Sequence, residues 1–230
     1  MKKTIQLLGL LLVVFSGALQ AQKEFTGTMT YSYTFEGEDV EMFISMMPEK
    51  MIVQYGDRGI ITHMEGGLVA SMMGIIVVDT ENQISFIKKE SEKSIYLVND
   101  EDAEEMGEGM ESSEVKTFDE TKEIMGYTCY KYETETTDAN GQTLKQTIWA
   151  TKDLKLKKYD FSGKAKELMA NAYNEKLKDA LPMEVEVFMP AMEMTLKLTV
   201  TNIEKSKIPS ERFDIPKGYA QKDISEMLGQ

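Results

Sequence analysis

Hydrophobic and polar residues alternate strictly near the start of the chain, in the segment FTGTMTYSYTF at residues 25–35. All of its aromatic residues and its methionine occupy odd positions, whereas threonine and serine occupy the even positions. A β-strand repeats every two residues, so it places the first set on one face and the second set on the other. The pattern therefore predicts a strand with one apolar face.

The same alternation predicts further strands and hairpins. One is expected in DVEMFISMM at residues 39–47, after the hairpin signal EGED. Its apolar residues in phase are Val40, Met42, Ile44 and Met46. Other predicted strands flank turns at 56–57, 79–82 and 140–141, or lie at 94–98, 183–189 and 192–204. In the last of these, Met192 and Met194 fall on one face with Leu196.

One segment has a clear helical period. In KAKELMANAYNEKLKDA at 164–180, apolar residues recur three and four positions apart, and Pro182 follows. An amphipathic helix of roughly four turns is predicted there. Residues 65–73 fit a loop or a helical turn, and residues 222–230 fit a short helix. Residues 99–114 contain eight acidic residues and no basic residue, which predicts a solvated loop rather than a calcium loop with its central glycine.

These elements indicate a mainly β fold with some α. A sheet with one apolar face must cover that face, and a single helix covers only part of so long a sheet. We therefore predict a curved antiparallel half-barrel with the helix across its apolar face, a shape that tends to enclose an apolar cavity. The predicted ligand-binding residues are Met29, Tyr31, Tyr33, Met42, Ile44, Trp149, Met192 and Met194. A fully packed core would use the same side chains, and that alternative stays open.

The N-terminus has the layout of a secretory signal peptide. Two lysines precede an apolar run at about residues 5–15, and small residues lead to a break near Ala21. The run is too short to cross a bilayer. We expect a signal peptide at 1–21, a periplasmic location, and one domain at 22–230, because no proline- or glycine-rich linker divides the remainder.

Charge and cysteine content restrict the partners and the sources of stability. The chain has 39 acidic and 26 basic residues and a net charge of −13. No basic patch is present to neutralise phosphates, so nucleic acid is not an expected partner. A secreted chain with the single cysteine Cys129 has no internal disulfide, and its stability must come from burial and strand pairing.

Catalytic motifs are missing from the sequence. Cys129 and the only histidine, His63, could form a dyad, but Cys129 lies inside a strand pattern, where nothing lowers the thiol pKa. The chain has no Gly-x-Ser-x-Gly elbow, no phosphate-binding glycine loop and no His-Glu-x-x-His motif. We expect a protein without enzymatic activity or cofactor, in which Cys129 is a small buried apolar residue.

The 18 methionines allow two interpretations. Thioethers suit Cu(I), and the Met-Met pairs at 46–47 and 72–73, the Met192-x-Met194 spacing and the neighbouring His63 and Met64 fit a copper chaperone. One histidine and one cysteine cannot build an ordinary zinc site. Methionine is also flexible and polarizable, so a cavity lined by it adapts to varied apolar ligands.

Four motifs carry a family resemblance. They are F-x-G-x-M-x-Y at 25–31, KEIMGYTCYKYETE at 122–135, TIWATKDLKL at 147–156 and FDIPKGY at 213–219. They resemble a family of secreted bacterial proteins of unknown function, with an I-x-G-Y-x-C-x-x-Y strand, a tryptophan strand and a closing F-x-I-P-x-G-Y. The residues that match after the opening strand are Ile124, Gly126, Tyr127, Cys129, Tyr132, Trp149, Phe213, Ile215, Pro216, Gly218 and Tyr219.

That family is similar in fold to the periplasmic lipoprotein carriers of the LolA/LolB type, which are half-barrels that hold acyl chains under helices. The resemblance implies this fold and no catalytic residue. It does not extend to lipoprotein transfer, because an arginine helps to gate the carriers and this chain has only Arg58 and Arg212. We predict a periplasmic protein that binds a lipid-like ligand or acyl chain, with an envelope protein as a further candidate partner. The alternatives are a copper chaperone and a packed interaction module whose acidic loop meets a cationic partner.

Overall fold

The structure is a computed structural model that describes residues 24–37, 40–98, 111–112, 115–137, 143–159, 177 and 180–228. The predicted signal peptide lies outside the described residues, as do the predicted acidic loop except 111–112 and the predicted helix at 164–180 except Leu177 and Ala180. No helix within the described ranges is long and apolar enough to span a membrane.

The described part of the chain is mainly β. The strands are β1 (Gly27–Gly37), β2 (Lys50–Tyr55), β3 (Gly59–Glu65), β4 (Ile75–Asp79), β5 (Ile84–Lys89), β6 (Ser94–Leu97), β7 (Glu111–Ser112), β8 (Lys116–Ile124), β9 (Tyr127–Thr137), β10 (Thr143–Thr151), β11 (Leu181–Met189), β12 (Met194–Lys205) and β13 (Ala220–Asp223). The helices are α1 (Glu41–Ile44), α2 (Gly67–Met73) and α3 (Ile224–Leu228), with 3-10 turns at Pro190–Met192 and Ser210–Phe213.

All these strands belong to one sheet. Its order is β13-β6-β5-β4-β3-β2-β1-β12-β11-β10-β9-β7, and β8 also pairs with β9. The first and last strands of this order do not pair with each other, so the sheet is open in the part of the chain that is described. The alternating segment at 25–35 became its long central strand β1, which pairs with β12 and β2. The prediction of a mainly β fold with few helices is confirmed.

The sheet is mixed, whereas the sequence analysis expected an antiparallel one. Strand β13 runs parallel to β6, with Ala220 opposite Ser94. The other pairings between the strands named above are antiparallel, and an isolated bridge between Phe25 and Leu156 is parallel. Parallel strands require a long connection between them. Here β7 to β12 lie between β6 and β13 in the chain, so local patterning could not reveal the pair.

The predicted strand at 39–47 is wrong. Residues Glu41–Ile44 form the short helix α1, in which the Ile44 amide donates to the Val40 carbonyl at 2.8 Å. Strand β1 already has β12 and β2 as its two neighbours, so residues 39–47 have no edge of β1 to pair with. A short apolar run with suitable spacing is also ambiguous between helix and strand.

One half of the sheet, here called the covered half, consists of β3, β4, β5, β6 and β13. Strands β4, β5 and β6 are apolar on both faces, and each face packs against a different part of the chain after residue 207. Residues 208–219, here called the C-terminal segment, cover one face. There Ile208 and Phe213 join a buried cluster with Val77 and Phe86. Helix α3 covers the other face, where the buried cluster has other members. They are Ile87, Tyr96 and Ile224, with Ile76 and Met227 packed against them.

The other half, here called the charged half, consists of β8 to β11. One of its clusters brings Leu177 and Ala180 into contact with Ile148, Ala150 and Tyr132. Opposite Trp149 on β10 stand Lys131 on β9 and Glu184 on β11, so these strands place charged and apolar residues on alternate positions. Between the two halves lies the core of β1, β2 and β12, with Met29, Val53 and Val200 buried.

Candidate functional site

A partly enclosed cleft lies on the covered half, beneath residues 211–216. Its volume is about 140 Å³. The lining residues from the sheet are Ile61, Ile75, Val77, Phe86 and Lys88, and those from the C-terminal segment are Glu211, Arg212, Asp214 and Pro216. The cleft therefore has an apolar floor and a charged rim, the arrangement typical of small-molecule sites.

Strand register builds the apolar floor. Val77 on β4 is paired with Ile61 on β3 and with Phe86 on β5. Side chains opposite one another on neighbouring strands point to the same face and contact each other. The floor is therefore a row of apolar side chains across three strands, and Ile75 extends it by one step along β4.

Phe213 holds the C-terminal segment on the sheet. Its side chain is 2 % exposed and packs against the turn between β2 and β3. A Cβ atom at Gly56 would lie 2.8 Å from Cζ of Phe213, so only glycine leaves room for the ring there. The closing family motif thus begins with a residue that anchors the roof of the cleft.

Arg58 binds the same segment from the side. Its guanidinium donates to the Ser210 carbonyl at 2.9 Å and to Oδ1 of Asp214 at 2.6 Å. It also lies 5.8 Å from the centre of the Phe213 ring, within the range of a cation–π contact. A third bond joins its Nη2 atom to Oδ2 of Asp79 at 2.5 Å.

Asp79 is the buried anchor of this network, with a side chain that is 2 % exposed. Burial alone would raise the pKa of its carboxyl group, but the hydrogen bonds from Arg58 and from the Asn82 side chain and backbone outweigh burial. The pKa of Asp79 is therefore lower than its ordinary value, and the group stays ionised. Arg58 thus joins a buried carboxylate on β4 to the roof of the cleft.

The rim offers charges of both signs. Lys88 Nζ pairs with Glu90 at 2.6 Å, and Asp214 pairs with Arg58. Neither Arg212 nor Glu211 has an ion pair within the described residues, and both side chains are exposed. These two side chains could contact the polar end of a ligand whose apolar end lies on the floor.

The sequence matches the family described as "Domain of unknown function (DUF4412)" over residues 25–219. The chain belongs to this family. The match begins at Phe25 in the opening motif and ends at Tyr219 in the closing motif. It confirms the resemblance to a family of unknown function that the motifs indicated.

Other comparisons add little to the DUF4412 assignment. No curated protein matches the chain. Among solved structures, the fold is similar to a DUF1329 family protein from Desulfovibrio piger, with 11 % sequence identity and a TM-score of 0.34. That similarity covers 85 % of this chain and 92 % of the other.

In this DUF4412 chain, three of the predicted ligand-binding residues are core residues. Met29 is fully buried, Tyr31 is 4 % exposed and Met194 is 1 % exposed. The Tyr31 hydroxyl donates to the Pro182 carbonyl at 2.9 Å, and burial raises the pKa of the phenol. Tyr33 is half-buried and stacks on Phe35 at 6.3 Å between ring centres. None of these residues lines the cleft.

Trp149 is half-buried against the same core cluster, but its ring also lies beside charged side chains. Lys122 Nζ lies 4.4 Å from the centre of its ring, and Lys122 also forms an ion pair with Glu184. Burial would raise the pKa of Glu184, but hydrogen bonds from Lys122 and Thr199 outweigh it and keep the pKa below its ordinary value. The charged half thus contains a buried carboxylate beside an aromatic ring.

The remaining predicted residues do not share a strand face. Met192 lies in a 3-10 turn and is 51 % exposed, and Glu193 in a left-handed conformation separates it from buried Met194. Ile44 ends α1 and is 43 % exposed, and Met42 lies in the same helix. The predicted common face of Met192 and Met194 is therefore wrong, and the copper hypothesis loses one of its proposed ligand pairs.

Cys129 and His63 are far apart in the sheet. Cys129 is on β9 and His63 is on β3, with five strands between them. The thiol is fully buried, and burial raises its pKa to about 11. Nε2 of His63 lies 3.6 Å from Glu65 instead. The dyad does not form, and Cys129 has the buried packing position that its strand pattern predicted.

Sequence reasoning missed the cleft because it treated residues 213–219 as a family marker and 222–230 as a helix only. A signal was available in GIIVVD at 74–79, which is apolar at consecutive positions rather than alternate ones. A strand buried on both faces has this pattern. It indicated that this part of the sheet needed two covers.

Proposed function

We propose that the chain is a non-enzymatic periplasmic protein that binds an apolar or acylated ligand. We further propose that its open sheet is a curved, LolA/LolB-like half-barrel and that residues 1–21 are a signal peptide. The family motifs and the alternating strands support this interpretation. The observation that carries it is the cleft of about 140 Å³, with its floor of Ile61, Ile75, Val77 and Phe86.

The size of the cleft limits what it can hold. An apolar cavity of about 150 Å³ is known to accept benzene, whereas pockets for complete drug-sized ligands have roughly 300–1,000 Å³. The described cleft therefore fits one ring or the end of one acyl chain. The remainder of a larger ligand would lie at the charged rim, near Arg212 and Glu211.

The floor also favours an apolar ligand on energetic grounds. Burial of apolar surface stabilises a complex by about 25 cal/mol per Å², or roughly 0.8 kcal/mol for each methylene group. The four apolar floor side chains offer no hydrogen bonds, so a polar group placed against them would lose its bonds to water without replacement. An acyl or aromatic group loses none on entry. Polar groups of a ligand would instead lie at the charged rim.

Copurified lipid and direct binding test the proposal. The protein is purified from its native compartment, extracted with organic solvent, and the extract is examined by mass spectrometry. A dansyl-labelled fatty acid is then titrated against the delipidated protein and followed by fluorescence. We expect a defined lipid in the extract and saturable binding. An extract without lipid, together with no binding of the probe, would contradict the proposal.

Two matched variants locate the site. Ile75→Trp fills the cleft, whereas Ile76→Trp places the same ring on the opposite face of β4, beside the cluster that contains α3. Both isoleucines are half-buried, so the two substitutions disturb the strand to a similar degree. We expect roughly tenfold weaker binding of the fatty acid for Ile75→Trp, equivalent to ~1.4 kcal/mol, and little change for Ile76→Trp. If both variants bound the fatty acid equally well, the ligand would bind elsewhere. Far-UV circular dichroism checks that each variant is folded.

A further inference from the structure

A second surface of the protein combines exposed apolar side chains with acidic ones. Among the described residues, nine large apolar side chains are exposed, and four of them lie in α1, α2 and the turn after α1. They are Ile44 (43 % exposed), Met46 (42 %), Leu68 (58 %) and Met72 (61 %). These four side chains are here called the methionine patch.

Backbone contacts bring the two segments of the patch together. The Val69 amide donates to the Met46 carbonyl at 2.9 Å. A Cβ atom at Gly67 would lie 2.1 Å from the Met47 carbonyl oxygen, and Gly67 has a left-handed φ of 65°. Only glycine tolerates both the contact and the conformation. The start of α2 therefore rests directly on residues 46–47.

Helix α2 exposes two of its large side chains. Its one buried residue is the small Ala70, whereas Leu68 and Met72 are more than half exposed. A surface helix ordinarily turns its large apolar residues towards the core. Grouped exposed apolar residues of this kind mark interaction sites. The local backbone thus holds an apolar surface towards the outside of the fold.

Three glutamates lie in or beside the segments that carry the patch, whereas Lys89, which lies beside Gly74 at the end of α2, is paired with Glu92. Glu41 begins α1, Glu65 ends β3, and carbon atoms of the Glu49 side chain lie against Gly66. All three glutamates are exposed. Lys50 is the one basic residue in the segments 40–50 and 65–74. No ion pair to Glu41 or Glu49 occurs within the described part of the chain.

We propose that the methionine patch binds a cationic amphipathic segment of a partner protein. Apolar side chains of the segment would contact Leu68 and Met72, and its lysines or arginines would meet Glu41, Glu49 and Glu65. Methionine side chains adapt to varied apolar partners, and an amphipathic helix is a common ligand of such surfaces. This surface is separate from the cleft and does not depend on the proposed ligand.

The negative charge near the methionine patch disfavours two other binding partners, an anionic lipid surface and a second copy of the chain. Anionic lipid headgroups would be repelled by the glutamates and by the net charge of −13. In a twofold symmetric dimer through the patch, the same surface of each copy meets its equivalent, and the glutamates would face one another. A cationic segment satisfies both the apolar and the acidic part of the surface.

A pair of synthetic peptides tests the proposal. One is a fluorescein-labelled helix of leucine and lysine, and the other has the same leucines with glutamate in place of lysine. Both are titrated with the protein at physiological salt, and binding is followed by fluorescence anisotropy. We expect saturable binding of the lysine peptide and none of the glutamate peptide. Equal binding of the two peptides would overturn the role of charge.

Two double variants distinguish binding of the lysine peptide at the patch from its nonspecific attraction to an acidic protein. Leu68→Gln/Met72→Gln removes its two most exposed apolar side chains, and Phe188→Gln/Met192→Gln removes two exposed apolar side chains near the β11–β12 turn. We expect the first variant to bind the lysine peptide roughly tenfold more weakly and the second to bind as the unchanged protein does. Equal loss in both variants would overturn the proposal.

Two further measurements test whether the patch instead binds lipid or a second copy of the chain. If Leu68→Gln/Met72→Gln abolishes flotation of the protein with phosphatidylcholine vesicles, the patch is a lipid-binding surface and the proposal is wrong. If sedimentation shows a dimer that this variant dissociates, the patch is a contact between copies, and the proposal is again wrong. The cleft variant Ile75→Trp should bind the lysine peptide normally, which keeps this inference separable from the proposed function.

Discussion

The two halves of the sheet differ in how their faces are covered. In the covered half, β4 is apolar on both faces, with Val77 under residues 208–219 and Ile76 in the cluster that contains α3. In the charged half, β11 alternates, with Val185 beside the cluster of Ala180 and Glu184 beside Lys122. One half depends on burial on both sides, and the other combines burial with buried charge.

This difference shows what a strand pattern measures. Alternation in MEVEVFM indicates a strand with one apolar face, and the uninterrupted apolar run in GIIVV indicates a strand with two apolar faces. The second pattern required a cover on each side, and the last part of the chain supplies both. Effects of substitution should therefore differ in kind between the halves: loss of packing in one, and loss of charge compensation in the other.

The largest effect is expected at the roof of the covered half. Phe213→Ala removes a ring that is 2 % exposed and leaves a cavity beside Gly56. Truncation of a buried phenylalanine costs about 3–5 kcal/mol of unfolding free energy. We expect a loss of that size in urea denaturation, together with loss of fatty-acid binding, because the roof of the cleft depends on this ring.

Phe188→Ala in the charged half is the matched control. Phe188 is 46 % exposed, so its truncation should change the unfolding free energy by less than about 0.5 kcal/mol. If the two variants lost similar stability, the C-terminal segment would not be a structural cover, and the distinction between the halves would fail.

A smaller effect is expected at Arg58, which joins the roof to the buried Asp79. Arg58→Met leaves the Asp79 carboxylate with Asn82 but without its cation, and hydrogen bonds to charged groups contribute about 1.5–3 kcal/mol each. We expect a loss of roughly 2 kcal/mol in unfolding free energy. The chain has one other arginine, Arg212, which is exposed, and Arg212→Met should be nearly neutral.

The pH dependence of stability tests the same contact. The pKa of Asp79 is lower in the folded protein than its ordinary value. Such a carboxylate stabilises the fold at pH values above its unfolded pKa, and this contribution disappears as the pH falls through the folded pKa. Stability should therefore decrease below about pH 4, and this decrease should be smaller in Arg58→Met. An identical acid profile for both proteins would show that Arg58 does not lower the pKa of Asp79.

Local patterns predicted most strands, and non-local contacts account for the errors. Alternation with a period of two residues predicted β1 and β12, because one face of each strand is apolar. The spacing at 39–47 suggested a strand, but pairing depends on a free neighbour, and β1 has none. The parallel β13–β6 pair joins segments about 125 residues apart, beyond the reach of any local period.

The sequence predicted the apolar character of the candidate site but not the residues that form it. An apolar floor was expected, but residues such as Met29 and Tyr31 were chosen by face alone and lie in the packed core. The cleft instead uses Val77 and Phe86, whose strands show little alternation. Whether an apolar side chain lines a space or fills it depends on what covers it, and the cover comes from residues 208–219 at the other end of the chain.

The smallest of these effects is expected at the Lys122–Glu184 pair of the charged half. Lys122→Met leaves the buried Glu184 carboxylate with Thr199 at 3.0 Å and with Lys197 at 3.9 Å. The Lys122 side chain is one-third exposed, so water already weakens the pair, and we expect a loss of about 1–2 kcal/mol in urea denaturation. The apolar packing of Trp149 should persist, because the methionine side chain can occupy the same place over the ring.

The double variant Lys122→Met/Glu184→Met separates charge from packing. A buried ion pair is often replaced by apolar residues at little cost, whereas removal of one partner leaves an uncompensated charge. The double variant should therefore be more stable than Lys122→Met alone. The cost of Lys122→Met should shrink as the pH falls through the pKa of Glu184, which lies below its ordinary value in the folded protein. If the losses of Lys122→Met and of the single variant Glu184→Met simply added in the double variant, packing would dominate here as it does at Phe213. The two halves would then differ in pattern but not in the forces that hold them.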